Sequence, residues 1–484
     1  MLEKLEPQNV FAFFEQLTKI PHGSGNTEQM SDFLISFAKE RNLECRKDTV
    51  GNVIIKKNAS VGYEEHKPVM IQGHMDMVLV KDPESQFDLS GQALELEINN
   101  DYLTAKETSL GADDGIAVAY MLALLDGEHY IHPPLECIIT VDEEVGMEGA
   151  TALDLSDLNG KRLINIDTEE EGEFVVSCAG GVRVTGEFAV FEEPFLRDDT
   201  KLCIQFELIG LQGGHSGTEI DKGRANANVL MGKLMARLYR EEKIALLSLS
   251  GGLKDNAIPI DAKMIICVDS KKQKCIEQIS RDFIKNVKEE YKEIEPDLGL
   301  VMSVIEPNDK EFFVATEKLE MLSVFFEQIP NGVIRMSEEL VGLVETSLNL
   351  GIIEMQENNL KITFAIRSSV AEQKEKLKLK ITKLMELNGG NVSLYGDYPE
   401  WEYQKESELR KTMVRMYEEM YQKSPKILSI HAGLECGIIA KKIKNLDCIS
   451  IGPDMKDIHT TKEVLSISST KRVWEFLLKV LANL

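Results

Sequence analysis

GIAVAYMLALLDGEHYIHPPLECIITV, residues 115–141, places an apolar stretch of helical length directly before a short apolar run. Residues 115–126 predict a helix, and residues 135–141 predict a strand. The flanking sequence has the same two kinds of element, with short apolar runs at 51–55, 68–72, 163–166 and 173–177 and amphipathic helical patterns at 9–20 and 27–41. Strands that alternate with helices predict an α/β sheet with helices on its faces.

The pattern changes after Gly180-Gly181 and changes back near residue 397. Between these points, strands such as LCIQFELIG alternate with long charged helices, predicted at 275–292 and 371–387. The first pattern then resumes, with helices predicted at 405–422 and 468–483 and strands at 427–430 and 446–451. We therefore predict an α/β protein in which an open mixed sheet flanked by helices is built from residues 1–181 and 397–484. An α+β domain, residues 182–396, is inserted into it.

Composition limits the classes of partner. The chain has 484 residues, of which 43% are hydrophobic and 28% charged, as in globular proteins of about two domains. Its formal net charge of -26 repels phosphate backbones and anionic lipids, so we expect no nucleic-acid and no membrane partner. The first twenty residues do not resemble a signal peptide, and no apolar run approaches the ~18 residues of a membrane span.

The eight cysteines are scattered and form no CxxC pair. Several of them, such as Cys137 and Cys267, lie inside apolar runs. We interpret the cysteines as reduced, buried thiols, which is typical of a cytoplasmic protein.

Polar side chains follow the end of one apolar strand in VMIQGHMDMV, residues 69–78. Alternate residues of an extended segment point the same way, so His74 can bind a metal while Asp76 approaches its other ring nitrogen. A surface turn with a solvated histidine would have the same pattern.

Acidic residues recur at comparable places. TSLGADDGIAVAY places Asp113-Asp114 at the start of an apolar helix, where one of the two suffices for capping. Asp142-Glu143-Glu144 closes the strand LECIITV, Asp167 follows the strand LINI, and His459 lies beyond the strand CISI. The carboxyl ends of strands in open α/β sheets are where ligand crevices form.

Taken together, these residues form a ligand set of imidazole and carboxylate groups without thiolate. Such a set suits Zn²⁺ or Mn²⁺, and a carboxylate shared by two ions makes a two-metal hydrolytic site. Other catalytic motifs fail: HExxH and GxxxxGK[ST] are absent, and GGHSG at 213–217 does not fit GxSxG. HGSGNTE at 22–28 lacks the third glycine of a dinucleotide-binding loop.

The ordered motifs GHMDMV, LGADDG, DEEVG, NIDTEEEG, GGHSG and IHTTKE resemble those of the aminoacyl-histidine dipeptidases, also called Xaa-His or cytosol nonspecific dipeptidases. These belong to the two-zinc superfamily of aminoacylases, carboxypeptidase G and aminotripeptidases. The resemblance covers nearly the whole chain. It implies that residues 1–181 and 397–484 form the catalytic domain and residues 182–396 a lid domain.

The resemblance also implies two divalent metal ions per chain, with Zn²⁺ favoured and Mn²⁺ or Co²⁺ also suited. His74 and Asp167 would bind one ion, Glu144 and His459 the other, and Asp113 would bridge them.

Two further acids have implied catalytic roles. Asp76 would orient His74, and Glu143 would be the general base that activates the metal-bridging water and protonates the leaving amine.

The resemblance assigns the substrate to residues of the inserted domain and one later loop. His215 would donate to the developing oxyanion, and Asn256 and Arg367 would hold the backbone and carboxylate of a small peptide. Gly433 and Glu435, in HAGLECG, would line the substrate pocket.

Some questions stay open at this level. An aminotripeptidase or N-acyl amino acid deacylase would share the metal centre, and a non-catalytic binding protein is a more remote alternative. The substrate side-chain preference and a homodimer, in which His215 could act across the subunits, also stay open. Thr460-Thr461 replaces the family's common Ser-Pro after the last histidine, which puts the stiffness of that loop in doubt.

Overall fold

The structure, a computed structural model, describes residues 2–194, 200–306, 312–356 and 359–484. Contacts between residues divide the chain into two compact units. The first comprises Met1–Cys178, Tyr403–Ser429 and Leu434–Leu484, and the second comprises Ala179–Glu402 and Ile430–Gly433. The sequence-based boundaries are at 181 and 396, whereas the two units meet at 178/179 and 402/403. Residues 430–433 also belong to the second unit.

The strands are distributed along the whole described chain. In chain order they are β1 (Glu44–Lys47), β2 (Val53–Lys57), β3 (Val69–His74), β4 (Leu96–Asn99), β5 (Tyr102–Ala105), β6 (Leu135–Thr140), β7 (Arg162–Asn165), β8 (Glu173–Cys178), β9 (Gly180–Ala189), β10 (Phe191–Pro194), β11 (Lys201–Ile209), β12 (Gly214–His215), β13 (Ala245–Gly251), β14 (Ala257–Ile258), β15 (Ala262–Asp269), β16 (Gly299–Ile305), β17 (Phe312–Val314), β18 (Gly332–Met336), β19 (Val344–Gln356), β20 (Asn359–Ser368), β21 (Gly390–Tyr398), β22 (Lys426–Ile430), β23 (Asp447–Ser450), β24 (Met455–Lys456) and β25 (Val464–Ser466).

Of the eleven described helices, seven lie close to predicted positions and four were not predicted. The helices are α1 (Gln8–Leu17), α2 (Glu28–Glu40), α3 (Ala112–Asp126), α4 (Glu148–Ala152), α5 (Ala227–Glu242), α6 (Gln273–Glu290), α7 (Thr316–Gln328), α8 (Ala371–Leu387), α9 (Glu408–Tyr421), α10 (Glu435–Lys442) and α11 (Ile467–Leu481), with 3₁₀ turns at Leu2–Lys4, Ile220–Lys222 and Ser270–Lys272. None of the described helices is both long and apolar enough to cross a membrane.

The first unit contains a mixed sheet with the strand order β1-β2-β6-β3-β7-β23-β8-β22. Strands β6, β3, β7 and β23 are parallel neighbours, whereas β1 and β2 are antiparallel additions at one side. The carboxyl ends of the four parallel strands therefore lie at one edge of the sheet. This confirms the predicted α/β architecture with an open mixed sheet and helices on its faces.

Helix α3 packs in the centre of the first unit. Its residues from Ala112 to Leu125 are all buried, as expected for a helix that is apolar all round. The helix approaches β3 closely at Gly73, where an added Cβ would lie 2.5 Å from the Cβ of Ala117. The helix thereby brings Asp113 and Asp114, in its first turn, next to the end of β3.

The second unit is built on a larger antiparallel sheet with the order β16-β11-β15-β13-β19-β20-β9-β21, and β18 pairs with β19. Residues of helices α5, α7 and α8 pack with this sheet in one apolar cluster, which includes Phe325, Phe326 and Phe364. Strands and charged helices therefore alternate here, as the sequence predicts for an α+β unit.

One sequence-based interpretation is wrong for two cysteines. Cys203 and Cys267 face each other on the antiparallel strands β11 and β15, and the structure joins them in a disulfide. Their positions in separate strand patterns give no sign of this pairing, because only the strand register brings them together. The other six cysteines retain thiols.

Candidate metal centre

The predicted metal ligands converge at the carboxyl edge of the first sheet. His74 is the last residue of β3, and Asp113 lies in the first turn of α3. Glu144 follows β6, Asp167 follows β7, and His459 lies in the loop between β24 and β25. Five segments of the chain thus deliver side chains to one place, because the parallel strands end at the same edge.

Asp113 lies between the two histidines. Its Oδ1 is 3.2 Å from Nε2 of His74, and its Oδ2 is 3.2 Å from Nε2 of His459. The carboxylate therefore has one oxygen directed to each imidazole, which is the arrangement needed to bridge two cations.

The other acids complete each side of this pair. Glu144 Oε1 lies 2.7 Å from His459 Nε2, and Asp167 Oδ1 lies 3.7 Å from His74 Nε2. Although these nitrogens are close, Asp113 Oδ1 and Glu144 Oε1 are buried and accept no well-aligned hydrogen bond from any described residue. Carboxylate oxygens that lie this close to imidazole nitrogens without satisfied hydrogen bonds are suited to a shared cation.

Two sets of side chains offer ligand atoms that all lie within 4.8 Å of one another: His74, Asp113 and Glu144, and His74, Asp114 and Asp167. Imidazole nitrogen with carboxylate oxygen is a donor set for Zn²⁺ and similar divalent ions. The residues present therefore fit a metal centre.

The electrostatics of the centre agree with this fit. The nearby carboxylates of Asp113 and Glu144 raise the pKa of His459 to about 10. Burial opposes protonation of His74, but the nearby carboxylates of Asp113, Asp167 and Asp76 outweigh it and raise the pKa of His74. The acids thus hold protons on both imidazoles, and metal binding would release them.

Two acids at this edge ionise less readily than usual. Burial raises the pKa of Asp167 to about 6 and that of Glu169 to about 7, with the negative charge of Asp113 adding to both shifts. An excess of buried carboxyl groups is unfavourable unless cations compensate it.

Asp76 contacts His74 in a different way from the expected one. The closest acceptor for Nδ1 of His74 is the backbone carbonyl of Asp76, at 2.9 Å, whereas the Asp76 carboxylate is 3.5 Å away. Asp76 Oδ1 accepts a hydrogen bond from the backbone amide of Glu143 (3.1 Å), and Asp76 Oδ2 accepts one from the hydroxyl of Ser24 (2.8 Å). Asp76 therefore holds the segment that carries Glu143 as well as the imidazole.

Glu143 lies in the turn after β6, next to Glu144. Burial raises the pKa of the Glu143 carboxyl, and the negative charges of Asp167, Glu435 and Glu144 raise it further. A carboxylate with an elevated proton affinity beside a metal centre is suited to accept and return a proton.

The segment that carries Asp113 is held by Glu463. The Glu463 carboxylate is buried. It accepts hydrogen bonds from the backbone amides of Leu110 (2.8 Å), Gly111 (3.0 Å) and Ala112 (2.8 Å). One side chain of the His459 loop thus positions the start of α3.

The His459 loop, whose stiffness was in doubt, is tied down on both sides of the ligand. His459 itself has a φ of 61°. Thr460 donates to the carbonyl of Asp457 (2.6 Å), and Thr461 donates to Asp82 (2.5 Å). Hydroxyl hydrogen bonds therefore anchor the loop in place of a proline ring.

Glu435, expected in the substrate pocket, is fully buried in the first unit. It accepts hydrogen bonds from Gln72 (2.5 Å) and Thr140 (2.6 Å), and burial raises its pKa to about 7. This places Glu435 under strands β3 and β6, not on an open surface.

The second unit brings together His215, Asn256 and Arg367. The amide of Ser216 donates to the carbonyl of Asn256 (2.8 Å). A Cβ added at Gly217 would lie 2.9 Å from the His215 ring and 3.2 Å from Nε of Arg367. Burial and the charge of Arg367 lower the pKa of His215, so the imidazole is neutral.

Arg367 is buried with spare hydrogen-bonding capacity. Its Nη1 donates to the hydroxyl of Tyr398 (2.7 Å), while Nε has no acceptor among the described residues. Gly433 follows His431, whose Nε2 lies 2.8 Å from the hydroxyl of Ser347 in this unit. A buried, incompletely paired guanidinium is suited to a carboxylate ligand.

The sequence did not single out Ser24, Asp114 or Glu463 as site residues. Asp114 is buried, accepts the backbone amide of His74 (3.1 Å) and has its pKa raised by burial. The adjacent acids in GADDG were a signal for Asp114, whereas Ser24 and Glu463 depend on contacts between distant segments.

The chain belongs to the peptidase family M20/M25/M40, whose family model matches residues 70–483. It is 35% identical to the cytosol non-specific dipeptidase of Escherichia coli (strain K12) over 485 aligned residues, which cover 100% of this chain and 99% of the relative.

Solved structures agree with this assignment. The aminoacylhistidine dipeptidase from Vibrio alginolyticus superposes with a TM-score of 0.93 at 34% identity, over 100% of this chain and 98% of that one. The aminopeptidase PepT from Bacillus cereus ATCC 10987 has a TM-score of 0.57 at 15% identity, over 99% and 98% of the two chains, and shows the fold alone.

Proposed function

We propose that the protein is a metallodipeptidase that hydrolyses dipeptides, of the Xaa-His type or with broader specificity. One observation carries the proposal: Asp113 lies between the imidazoles of His74 and His459, each 3.2 Å away. The full-length likeness to two dipeptidases supports the choice of substrate class.

The proposed ligands divide into two groups that share Asp113. His74 and Asp167 would hold one divalent ion, and Glu144 and His459 would hold the other. Zn²⁺ is the favoured ion, and Mn²⁺ or Co²⁺ suits the same donors. When bound, the two ions polarise the scissile carbonyl and lower the pKa of a water molecule at the site.

Proton transfer is assigned to Glu143. Its carboxylate takes a proton from the attacking water and delivers it to the leaving amine nitrogen. Asp76 supports this step. Its carboxylate accepts a hydrogen bond from the backbone amide of Glu143, and its backbone carbonyl accepts one from His74. Asp76 is therefore a positioning residue for both the base and a ligand.

Substrate binding is assigned to the second unit. Arg367 pairs with the free carboxylate of the peptide, Asn256 with its backbone, and His215 with the developing oxyanion. Gly433 belongs to the surrounding pocket, whereas Glu435, which is buried under β3 and β6, is not assigned to it. The incompletely paired guanidinium of Arg367 supports a substrate that carries a carboxylate.

We further propose that the protein acts in the cytoplasm, where the name of its Escherichia coli relative places that enzyme. Light scattering of the purified protein decides between a monomer and a homodimer. Mass analysis without reductant, after thiols have been blocked in the cell, shows whether the Cys203–Cys267 disulfide forms there.

The experiment that tests the function starts from protein stripped of metal by a chelator. Hydrolysis of a His-containing dipeptide and of Ala-Ala is measured before and after Zn²⁺ or Mn²⁺ is restored. We expect activity to return with about two ions per chain. Cleavage only of tripeptides or of N-acetyl amino acids would identify the aminotripeptidase or deacylase instead. No bound metal and no hydrolysis would leave the binding-protein alternative.

Glu143→Gln tests the base in the same assay. We expect kcat to fall about 10²- to 10⁴-fold with metal content unchanged. Glu148→Gln is the matched control, since Glu148 is an exposed acid on the same segment. Near-wild-type turnover in Glu143→Gln would remove Glu143 from the mechanism.

A further inference from the structure

A cavity of about 480 Å³ lies beside the metal centre within the first unit. One of its walls is Glu144, whose carboxylate is 2.7 Å from His459. The other walls include Met77, Leu79 and Leu89. The cavity therefore begins at a proposed ligand and extends over an apolar surface.

The walls of this cavity are mostly apolar. Val78 and Val145 add to the three apolar side chains already named, and Glu144 is the one charged residue in the described lining. Val145 is 60% exposed, although it adjoins a cluster of acids. Exposed apolar side chains next to a reaction centre are expected where a ligand covers them.

The apolar wall of the cavity is held in place by the HGSGN segment, residues 22–26. Gly23 forms a parallel bridge with Met77, and the amide of Ser24 donates to the Met77 carbonyl at 3.2 Å. A Cβ at Gly23 would lie 3.1 Å from the Cβ of Leu79, so the glycine lets this backbone pack against the leucine. The segment that failed as a dinucleotide loop thus shapes the cavity.

We propose that this cavity is a specificity subsite that binds an apolar side chain of the amino-terminal residue of the substrate. The proposal rests on the proposed dipeptidase function. The proposed function assigns the free carboxylate of the dipeptide to Arg367 of the second unit, which leaves the amino-terminal residue for a subsite of the first unit. The described lining of the cavity carries no basic side chain that would pair with a carboxylate. The volume admits leucine or phenylalanine, and Met77 can adapt to either shape.

The test compares kcat/KM for Gly-Gly, Leu-Gly and Phe-Gly with that for Gly-Leu and Gly-Phe, using the metal-loaded full-length protein. We expect wild type to prefer Leu-Gly over Gly-Gly by about tenfold or more. Leu79→Ala should lower the ratio of Leu-Gly to Gly-Gly by about tenfold, and Leu89→Ala should lower it as well. Val61→Ala is the matched control, because Val61 is an aliphatic residue of the same unit that is 96% exposed.

A variant that gains activity on a new substrate distinguishes an effect on specificity from a loss of folding. Leu89→Lys places an ammonium group at the cavity wall, so the ratio of kcat/KM for Glu-Gly to that for Leu-Gly should rise about tenfold. Two results would overturn the subsite while the dipeptidase function stands. In the first, these ratios of kcat/KM stay unchanged in all three variants. In the second, kcat/KM changes only for Gly-Leu and Gly-Phe. Failure of wild type to hydrolyse any dipeptide would overturn the proposed function and the subsite with it.

Discussion

Glu463 accepts a hydrogen bond of 2.8 Å from the backbone amide of Ala112, the residue before the carboxylate that lies between the two histidines. The same carboxylate also accepts the amides of Leu110 and Gly111. An anion at the start of α3 satisfies helix-terminal amides that have no partner within the helix. Glu463 thereby couples the His459 loop to the position of Asp113.

Glu463→Gln tests this coupling. The amide group of glutamine accepts through one oxygen only and turns its NH₂ towards the same backbone donors, so the Asp113 segment should shift. We expect kcat/KM to fall about 10- to 100-fold and metal affinity to weaken by a similar factor, as for other residues that orient ligands. Titration with Zn²⁺ of the stripped protein measures the second effect.

The control for Glu463 is Glu475→Gln, which changes the same group on a half-exposed side chain paired with Lys471. Glu475→Gln should alter neither kcat/KM nor the affinity for Zn²⁺. Loss of thermal stability in Glu463→Gln with wild-type metal affinity would mean that Glu463 stabilises the fold without positioning Asp113.

Ser24→Ala removes the hydroxyl that donates to Asp76 Oδ2. Asp76 then retains its contact with the Glu143 amide, so the site should assemble but orient His74 and Glu143 less well. We expect kcat to fall about tenfold while KM and the number of bound ions stay the same. Ser36→Ala, which changes an exposed helical serine, is the control. A change in KM alone would assign Ser24 to substrate binding.

Gly73→Ala tests the close approach of β3 and α3. The added methyl group would collide with the Asp114 carboxylate and lie 2.5 Å from the Cβ of Ala117, which cannot rotate away. We expect the free energy of unfolding to fall by about 1–3 kcal/mol, as for other overpacked cores. Urea unfolding measures this change. Gly91→Ala is the control, since its Cβ would meet only an exposed aspartate side chain.

The sequence predicts the part of the site that depends on strand ends. His74, Glu144 and Asp167 lie at or shortly after the ends of β3, β6 and β7, and parallel strands bring such positions to one edge whatever the details of packing. Ser24 and Asp76 are 52 residues apart, and their contact needs the bridge between Gly23 and Met77. No local pattern encodes that bridge, so residues of this kind appear only in the structure.

The Cys203–Cys267 disulfide has the same origin as these unpredicted contacts. Composition and spacing describe each cysteine separately, whereas the bond depends on the register of β11 against β15. A one-residue slip of that register would turn one thiol to the other face of the sheet.

His431 should make the stability of the protein depend on pH. Burial, reinforced by the positive charge of Arg367, lowers the pKa of His431 to about 3, against a hydrogen bond to Val344 that raises it. In the unfolded chain the imidazole takes up a proton near pH 6.5. Between that pH and pH 3 the unfolded state therefore binds more protons than the folded state, and the free energy of unfolding falls as pH falls.

His431→Gln removes this contribution. Between pH 7 and pH 5, the variant should therefore lose about 2 kcal/mol less unfolding free energy than wild type in urea titrations. His66→Gln, at an exposed position, is the control and should parallel wild type. Parallel losses in all three proteins would show that His431 is protonated in the folded state or that its neighbours rearrange to accept the charge.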